Sequence, residues 1–372
     1  MTRRVFVLYV PGHLTEIHRN QVWVALPRAF RKLGYHSCLV CYKYEVREDF
    51  DLRIIETFIP RNQFERLMEP FLAFHRIIKE RPDLVVISPI GSYVFTQMSL
   101  IIFTKLIGRL RGFRAKFVLK TDWSLDYTGM SLAKRSLASL LLVASSYVFD
   151  AITIETTCGL ERAKKLPLFN SKRAHVVPLA SPFDFRIKYE EEERENVLLC
   201  VARVLRMKGL DVLIRAFSAL KEEFPDWRLS FVGPILDVDY KRELDSLVKA
   251  EGLEGRVEFR GFIAPKDERL RDAYKRAAIF VLPSLQESFG IAKCEATAFG
   301  LPVVTTDVPC GKDNEESGWI VARAGNHVDL AEKLRPLMSS RELRKKTVEK
   351  AQARLVTHDD IARRYVEIVG LV

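Results

Sequence analysis

Along this chain, short apolar runs alternate with longer amphipathic segments. In the first half, the runs at 5–10, 37–42, 84–88, 116–119, 151–155 and 175–178 have the length and bulk of buried strands. The segments 18–33, 62–79, 93–111, 132–148 and 159–166 between them carry helical spacing. The second half repeats the scheme, with strands at 197–201, 228–232, 257–259, 279–282, 303–305 and 319–321 and helices at 209–224, 238–251, 265–276 and 291–299. Strands alternating with helices predict parallel α/β sheets wound on both faces. Two such series predict two Rossmann-like domains whose sheets face a cleft.

The seam between the two series is 181–195, which holds Pro182 and the charged run Glu190-Glu191-Glu192-Glu193-Arg194-Glu195. A solvated linker fits that composition, so the expected domains are 1–185 and 186–372. Three last helices, 328–337, 341–355 and 359–369, trail the second domain and are free to pack back on the first.

Composition sharpens this picture. A chain of 372 residues, 48% of them hydrophobic, can bury two cores. The longest apolar stretch, 136–149, has 14 residues and is too short to cross a bilayer. Met1-Thr2-Arg3-Arg4 runs straight into the first strand, which leaves no room for a signal peptide, so the expected location is cytosolic. Six cysteines are scattered. Cys38 and Cys41 form a CxxC within a strand, where they point to opposite faces and read as buried thiols rather than a zinc site. The net charge of +11 is confined to the first half. Residues 1–185 hold 27 Lys and Arg against 16 Asp and Glu, and residues 186–372 hold 32 of each. A basic first half predicts an anionic partner: nucleic acid, an acidic membrane or a phosphorylated substrate.

Two loops carry candidate chemistry. At 200–211 a strand ends, Arg203, Arg206 and Lys208 follow, and a helix starts. These cations could converge on a diphosphate, which needs positive partners to take up leaving-group charge. They could equally be solvated members of an ordinary loop. At 285–295, Glu287 and Glu295 bracket a Ser-Phe-Gly-Ile turn that opens a helix. The amides of Phe289, Gly290 and Ile291 can meet a phosphate or sugar oxygen. Eight residues of helical rise separate the two carboxylates by up to about 12 Å, roughly the reach from a sugar past a diphosphate to a ribose. The alternative makes Glu287 a helix cap and Glu295 a surface residue. Both loops follow strands at the edge where ligands bind in such folds.

Glu287-Ser288-Phe289-Gly290-Ile291 with Glu295 resembles the E-x7-E signature of retaining nucleotide-sugar glycosyltransferases of the GT-B fold, glycosyltransferase family 4. Ala202-Arg203-Val204 with Lys208-Gly209 and Ala216-Phe217, then Val232-Gly233-Pro234, Arg260-Gly261-Phe262 and Gly300-Leu301-Pro302-Val303-Val304, follow that family's order across 197–321. The resemblance implies that Arg203 and Lys208 bind the donor diphosphate, Glu287 holds the sugar and Glu295 holds the ribose. Gly261, Phe262 and Ile263 would border the base. It also implies front-face transfer with no protein nucleophile, no cofactor and no metal. The donor would be a UDP- or GDP-sugar. A sugar or lipid-linked acceptor would sit on the first domain.

The first domain departs from the family pattern. Its first loop, Pro11-Gly12-His13-Leu14-Thr15-Glu16, has a single glycine, and Leu119-Lys120-Thr121-Asp122-Trp123 stands where many members place a His. Asp122 is the candidate base or acceptor-orienting group there, with Gly12, His13 and Lys120 as acceptor-side candidates. The loop at 308–316 adds a cation, Lys312, at the place of a glycine-rich turn. Asp237-Val238-Asp239 mimics the metal-binding DxD of another glycosyltransferase fold, but its position before a helix suits capping. The segment 95–116 interleaves apolar residues with Lys105, Arg109, Arg111, Arg114 and Lys116, and reads either as a helix with a basic outer end or as a surface for an anionic membrane.

Rival readings are weaker. A nicotinamide enzyme would carry G-x-G-x-x-G after a strand, and this chain does not. A nucleic-acid binder would carry aromatic platforms or a recognisable module, so no nucleic-acid partner is expected. A phosphorylase, an epimerase or a silent sugar-nucleotide binder would keep the fold and change the chemistry.

Overall fold

A computed structural model describes residues 4–15, 22–45, 52–88, 94–110, 112–121, 132–183, 185–190, 194–265, 267–308 and 310–371. The chain divides into two compact units, Met1–Pro182 together with Val356–Val372, and Phe183–Leu355.

The first unit is built on β1 (Val5–Thr15), β2 (His36–Glu45), β3 (Arg53–Glu56), β4 (Leu84–Ile87), β5 (Lys116–Thr121), β6 (Ala151–Ile154) and β7 (Ala174–Val176). They form one parallel sheet in the order β3-β2-β1-β4-β5-β6-β7. Helices α1 (Val22–Lys32), α2 (Gln63–Lys79), α3 (Val94–Leu110), α4 (Leu132–Val148) and α5 (Thr157–Lys164) connect the strands. Every residue of β4 and β6 is buried, as expected for parallel strands covered on both sides. Cys38 packs with Val7 and Val85 on one face, and Cys41 packs with Leu8 and Leu39 on the other. The two thiols of the CxxC are therefore separated by the sheet itself.

The second unit has β8 (Glu195–Val201), β9 (Arg228–Val232), β10 (Val257–Phe259), β11 (Ala277–Leu282), β12 (Val303–Thr306) and β13 (Ile320–Ala322) in the order β10-β9-β8-β11-β12-β13. Its helices are α6 (Leu210–Ser218), α7 (Val238–Ala250), α8 (Glu268–Arg276), α9 (Ile291–Ala298), α10 (Gly311–Glu316), α11 (His327–Ser339) and α12 (Arg341–Gln352). The strand order reverses between β8 and β11, the switch point at which doubly wound sheets bind ligands.

Three features differ from the sequence reading, and a fourth decides an alternative that it left open. Edge strand β3 went unseen because Arg-Ile-Ile-Glu offers only two apolar residues and is half exposed. Residues 311–316 form a short helix where a turn was expected. Strand β1 does not stop at residue 10. Its register shifts between Val10 and His13, and pairing resumes from His13 opposite Lys43. Pro11 has no N–H for the ladder, so a bulge carries the strand past it, and Gly12 and His13 lie in an extended strand. Finally, helix α13 (His358–Ile368) does not trail the second unit. Its Ile361, Ala362 and Tyr365, with Val369 just beyond, join Leu26 and Phe30 of α1 over Phe6, Leu8 and Val86 of the first sheet. Each of the larger aliphatic and phenylalanine side chains contributes about 1.5–3 kcal/mol by leaving water. Without α13, part of that sheet face would be bare.

Candidate active site

The site is assembled at the carboxyl ends of β8 and β11. After β8, the chain makes a 3-10 turn, Arg206–Lys208, and Gly209 turns left-handed, with φ of 61°, to start α6. A Cβ on Gly209 would lie 2.3 Å from the carbonyl oxygen of Pro283, so only glycine lets this turn press against the loop after β11. Met207 O then accepts hydrogen bonds from the backbone N–H of Leu285 and of Gln286, at 2.9 and 3.1 Å. The two loops are stitched together, and the stitch sets Lys208 against Glu287.

Lys208 Nζ lies 2.7 Å from Glu287 Oε2, and each side chain is only 10% exposed. Ser284 Oγ donates to the same carboxylate at 3.3 Å, and the Ser288 N–H donates to its other oxygen at 3.1 Å. Glu287 is therefore no helix cap, and Lys208 is not a solvated cation. Arg203 is exposed and has no hydrogen-bond or ion-pair partner among the described residues. Arg206 differs from the expectation. Glu243 grips it at 2.7 and 2.5 Å, and its guanidinium lies 5.1 Å from the centre of the Tyr240 ring. Of the three cations, Arg206 and Lys208 are each paired with a glutamate, and Arg203 has no partner among the described residues.

The turn into α9 is tight. Gly290 is left-handed, with φ of 81°, and a Cβ there would come within 2.9 Å of Leu282 and 3.0 Å of Lys293 Cε. No side chain caps the N-terminus of α9, which leaves its first amides for a ligand. Phe289 is buried against Trp319, and Ile291 is exposed. Glu295, one helix turn further on, accepts a 2.7 Å hydrogen bond from the Tyr274 hydroxyl. Burial holds its carboxyl above the usual range, although the Tyr274 bond pulls the other way. Gly261 is left-handed, and its carbonyl accepts from the Gly233 N–H at 2.9 Å. Phe262 beside it is largely exposed, and Ile263 is buried.

Other candidates are placed as follows. Asp237 caps α7 by accepting from the Tyr240 N–H at 2.9 Å, and Asp239 pairs with Arg242 at 2.8 Å, so the DxD look-alike serves its own helix. Lys312 is an exposed member of α10, 3.8 Å from Glu316. In the first unit Lys120 is buried and bound to Glu155 at 3.1 Å. Asp122, Arg111 and the side chains of His13 and Arg109 lie outside the described residues, and Gly12 is described only as backbone of β1. A cavity of about 530 Å³ opens between the sheet and α8, lined in part by Glu195, Arg228 and Arg276. Glu195 pairs with both arginines, at 3.2 and 2.7 Å.

One residue of this region escaped the sequence reading. Lys293, on α9, is fully buried. Its Nζ donates to Asn314 Oδ1 at 2.8 Å and faces the rings of Trp319 and Phe289, 4.6 and 5.5 Å from their centres. Burial lowers its pKa to about 8. The available signal was a lone charge in the apolar window Ile291-Ala292-Lys293-Cys294.

Residues 183–354 match the family model of glycosyl transferases group 1. An uncharacterized glycosyltransferase of Haemophilus influenzae is 26% identical over 73% of this chain and 73% of its own length. Mannosylfructose-phosphate synthase of Agrobacterium fabrum is 42% identical, over 30% of this chain and 25% of its own. Among solved structures, Anabaena Alr3699/HepE in complex with UDP superimposes with a TM-score of 0.72 at 14% identity, covering 99% of this chain and all of that one. The second unit thus matches glycosyl transferases group 1, the chain as a whole has the GT-B fold, and together they support a glycosyltransferase.

Proposed function

We propose that the chain is a retaining, metal-independent hexosyltransferase of glycosyltransferase family 4. It takes a sugar from a UDP- or GDP-sugar and passes it to a sugar or lipid-linked acceptor. The observation that carries this reading is the stitched pair of loops that holds Lys208 on Glu287, with Arg203 on the same loop as Lys208, exposed and without a partner among the described residues. Lys208 and Arg203 take up charge as the diphosphate leaves, which is the work a cation does in metal-dependent sites. Glu287 accepts bonds from the sugar hydroxyls, the first amides of α9 face sugar or phosphate, and Glu295 accepts from the ribose. Gly261, Phe262 and Ile263 border the base. With both substrates aligned, the acceptor oxygen attacks the face the diphosphate leaves, and the anomeric configuration is kept. The UDP held by the Anabaena neighbour supports a nucleotide donor.

The first unit takes the acceptor. Ile102, Phe103, Leu106 and Leu110 of α3 and Leu137 and Leu140 of α4 are exposed, with exposed Arg114 just past α3. Apolar side chains beside cations suit the surface of an anionic membrane, so we place the protein peripherally on the cytoplasmic face. Full sedimentation of an Arg109→Glu/Arg111→Glu/Arg114→Glu variant with anionic liposomes would sink that placement.

The deciding test of the activity is incubation with UDP-, GDP- and ADP-sugars, followed by melting temperature and NMR of the product's anomeric proton. A stabilising donor and a product with the donor's configuration are expected. Phosphorolysis or an epimerised donor would replace this reading with a phosphorylase or an epimerase. Binding without turnover would leave a silent binder.

A further inference from the structure

Lys293 lies among groups that leave its charge under-compensated. It is fully buried, and its one hydrogen-bond partner among the described residues is the neutral amide of Asn314. No carboxylate among the described residues pairs with it directly, and Glu287 and Asp313 act on it only at longer range. The rings of Phe289 and Trp319 supply the remaining attraction. An apolar side chain would fill this place without the desolvation cost of an ammonium. Packing alone therefore gives no reason for a lysine here.

The neighbours of Lys293 are the parts of the donor site. Its Cε would be 3.0 Å from a Cβ on Gly290, and Glu287 Cγ would be 3.3 Å from that same point, so both side chains close around the glycine of the turn. Asn314 carries the link onward, because its amide donates to Thr306 O at 2.8 Å and Val308 O at 3.3 Å at the end of β12. Thr306 Oγ1 in turn donates to Ser284 O at 2.7 Å, at the root of the loop that bears Glu287. The charged and titratable groups acting on Lys293 come from several elements: Cys294 on its own helix, Glu287 on the loop before it, Lys208 on the turn before α6, and Asp313 on α10.

We propose that Lys293 is a positioning residue of the donor site: its buried ammonium, clamped by Asn314 and two aromatic rings, braces the 287–291 turn in the form that receives a nucleoside diphosphate. This deepens the donor reading above and rests on it. A buried cation with a partial complement of partners is completed electrostatically by an incoming dianion. Binding then favours the charged form of Lys293, and by linkage the ammonium must be present for full affinity. Affinity is complete below the pKa of about 8 and falls as the pH rises through it.

The test is calorimetric titration of UDP, GDP and ADP into the intact chain between about pH 6.5 and pH 9, for wild type, Lys293→Met and Asn314→Ala. Wild type should lose up to about tenfold in affinity for its preferred nucleotide per pH unit above the pKa. Lys293→Met should bind about tenfold more weakly at neutral pH and show no alkaline loss. Asn314→Ala, which removes the acceptor of the ammonium, should move the loss to lower pH. A bare packing role would weaken binding equally at every pH. Lys293→Met with unchanged affinity, or with the alkaline loss intact, overturns the inference, and so does an Asn314→Ala midpoint that stays in place. A wild-type chain that binds none of the three nucleotides overturns the donor reading itself, and this inference with it.

Discussion

Lys208 and Glu287 are 79 residues apart in sequence and 2.7 Å apart in space. Ser284 and Ser288 of its own loop hold the Glu287 carboxylate, but the meeting with Lys208 is set across two loops. The contact exists because Gly209 has no Cβ and because Met207 O holds the backbone of the opposite loop. A pre-formed pair of this kind keeps the lysine extended and the carboxylate aimed before any ligand arrives.

The pair makes a double-mutant cycle informative. Lys208→Ala leaves the Glu287 carboxylate nearly buried and unpaired, which costs about 3 kcal/mol of stability. Glu287→Ala costs a similar amount for the converse reason. The double variant should be much less destabilised than the two costs added, with a coupling of roughly 1.5–3 kcal/mol in urea unfolding. Additive losses would mean that the two charges do not depend on each other.

Arg203 and Arg206 separate binding from stability. Arg203 is exposed and has no partner among the described residues, so Arg203→Ala should leave the unfolding midpoint within about 0.5 kcal/mol of wild type while cutting nucleotide affinity at least about tenfold, the loss of one charge-assisted contact. Arg206 is held by Glu243 on the surface, and Arg206→Ala should barely move the unfolding midpoint and leave affinity unchanged. Calorimetry on both variants checks this. Equal effects on affinity would return Arg206 to the site.

Two left-handed glycines should respond differently to alanine. At Gly261 nothing lies within 4 Å of an added Cβ, so Gly261→Ala should cost only the conformational strain of about 1–2 kcal/mol. At Gly209 the added carbon also meets the Pro283 carbonyl oxygen at 2.3 Å. Gly209→Ala should cost clearly more and weaken nucleotide binding, because it drives apart the loops that join Lys208 to Glu287. Equal thermal destabilisation of the two variants would show that the loop contact is unimportant.

Lys293 also leaves a mark on stability against pH. Its pKa falls from 10.5 to about 8 on folding, so between those values the unfolded chain binds more protons than the folded one. Unfolding free energy therefore rises with pH across that window and gains nothing from this residue below it. Lys293→Met should abolish the rise. Urea unfolding at about pH 7.5 and pH 9.5 measures it, and an identical rise in both proteins would place the cause elsewhere.

How much of this could be read from the chain depends on which force decides each feature. Ala277–Leu282 is buried at every position, and an unbroken apolar run announces such a strand. Glycines at 209, 261 and 290 mark turns whose backbone L residues rarely adopt, so the loops were legible too. Spacing alone could not reveal that Lys208 and Glu287 touch, because tertiary packing sets that distance. Lys293 was hidden by a sound rule, that a charged side chain on a helix faces water. Strand β3 and the bulge in β1 depend on pairing with β2, which a local pattern does not encode.

The C-terminal helix has a consequence for the order of events in the cell. The first unit owes one side of its core to Ile361, Ala362, Tyr365 and Val369, which follow the whole second unit along the chain. A ribosome makes the whole second unit before it delivers that helix. Until then the strands of the first unit hold an unfinished greasy flank, so a unit begun before the other is completed after it.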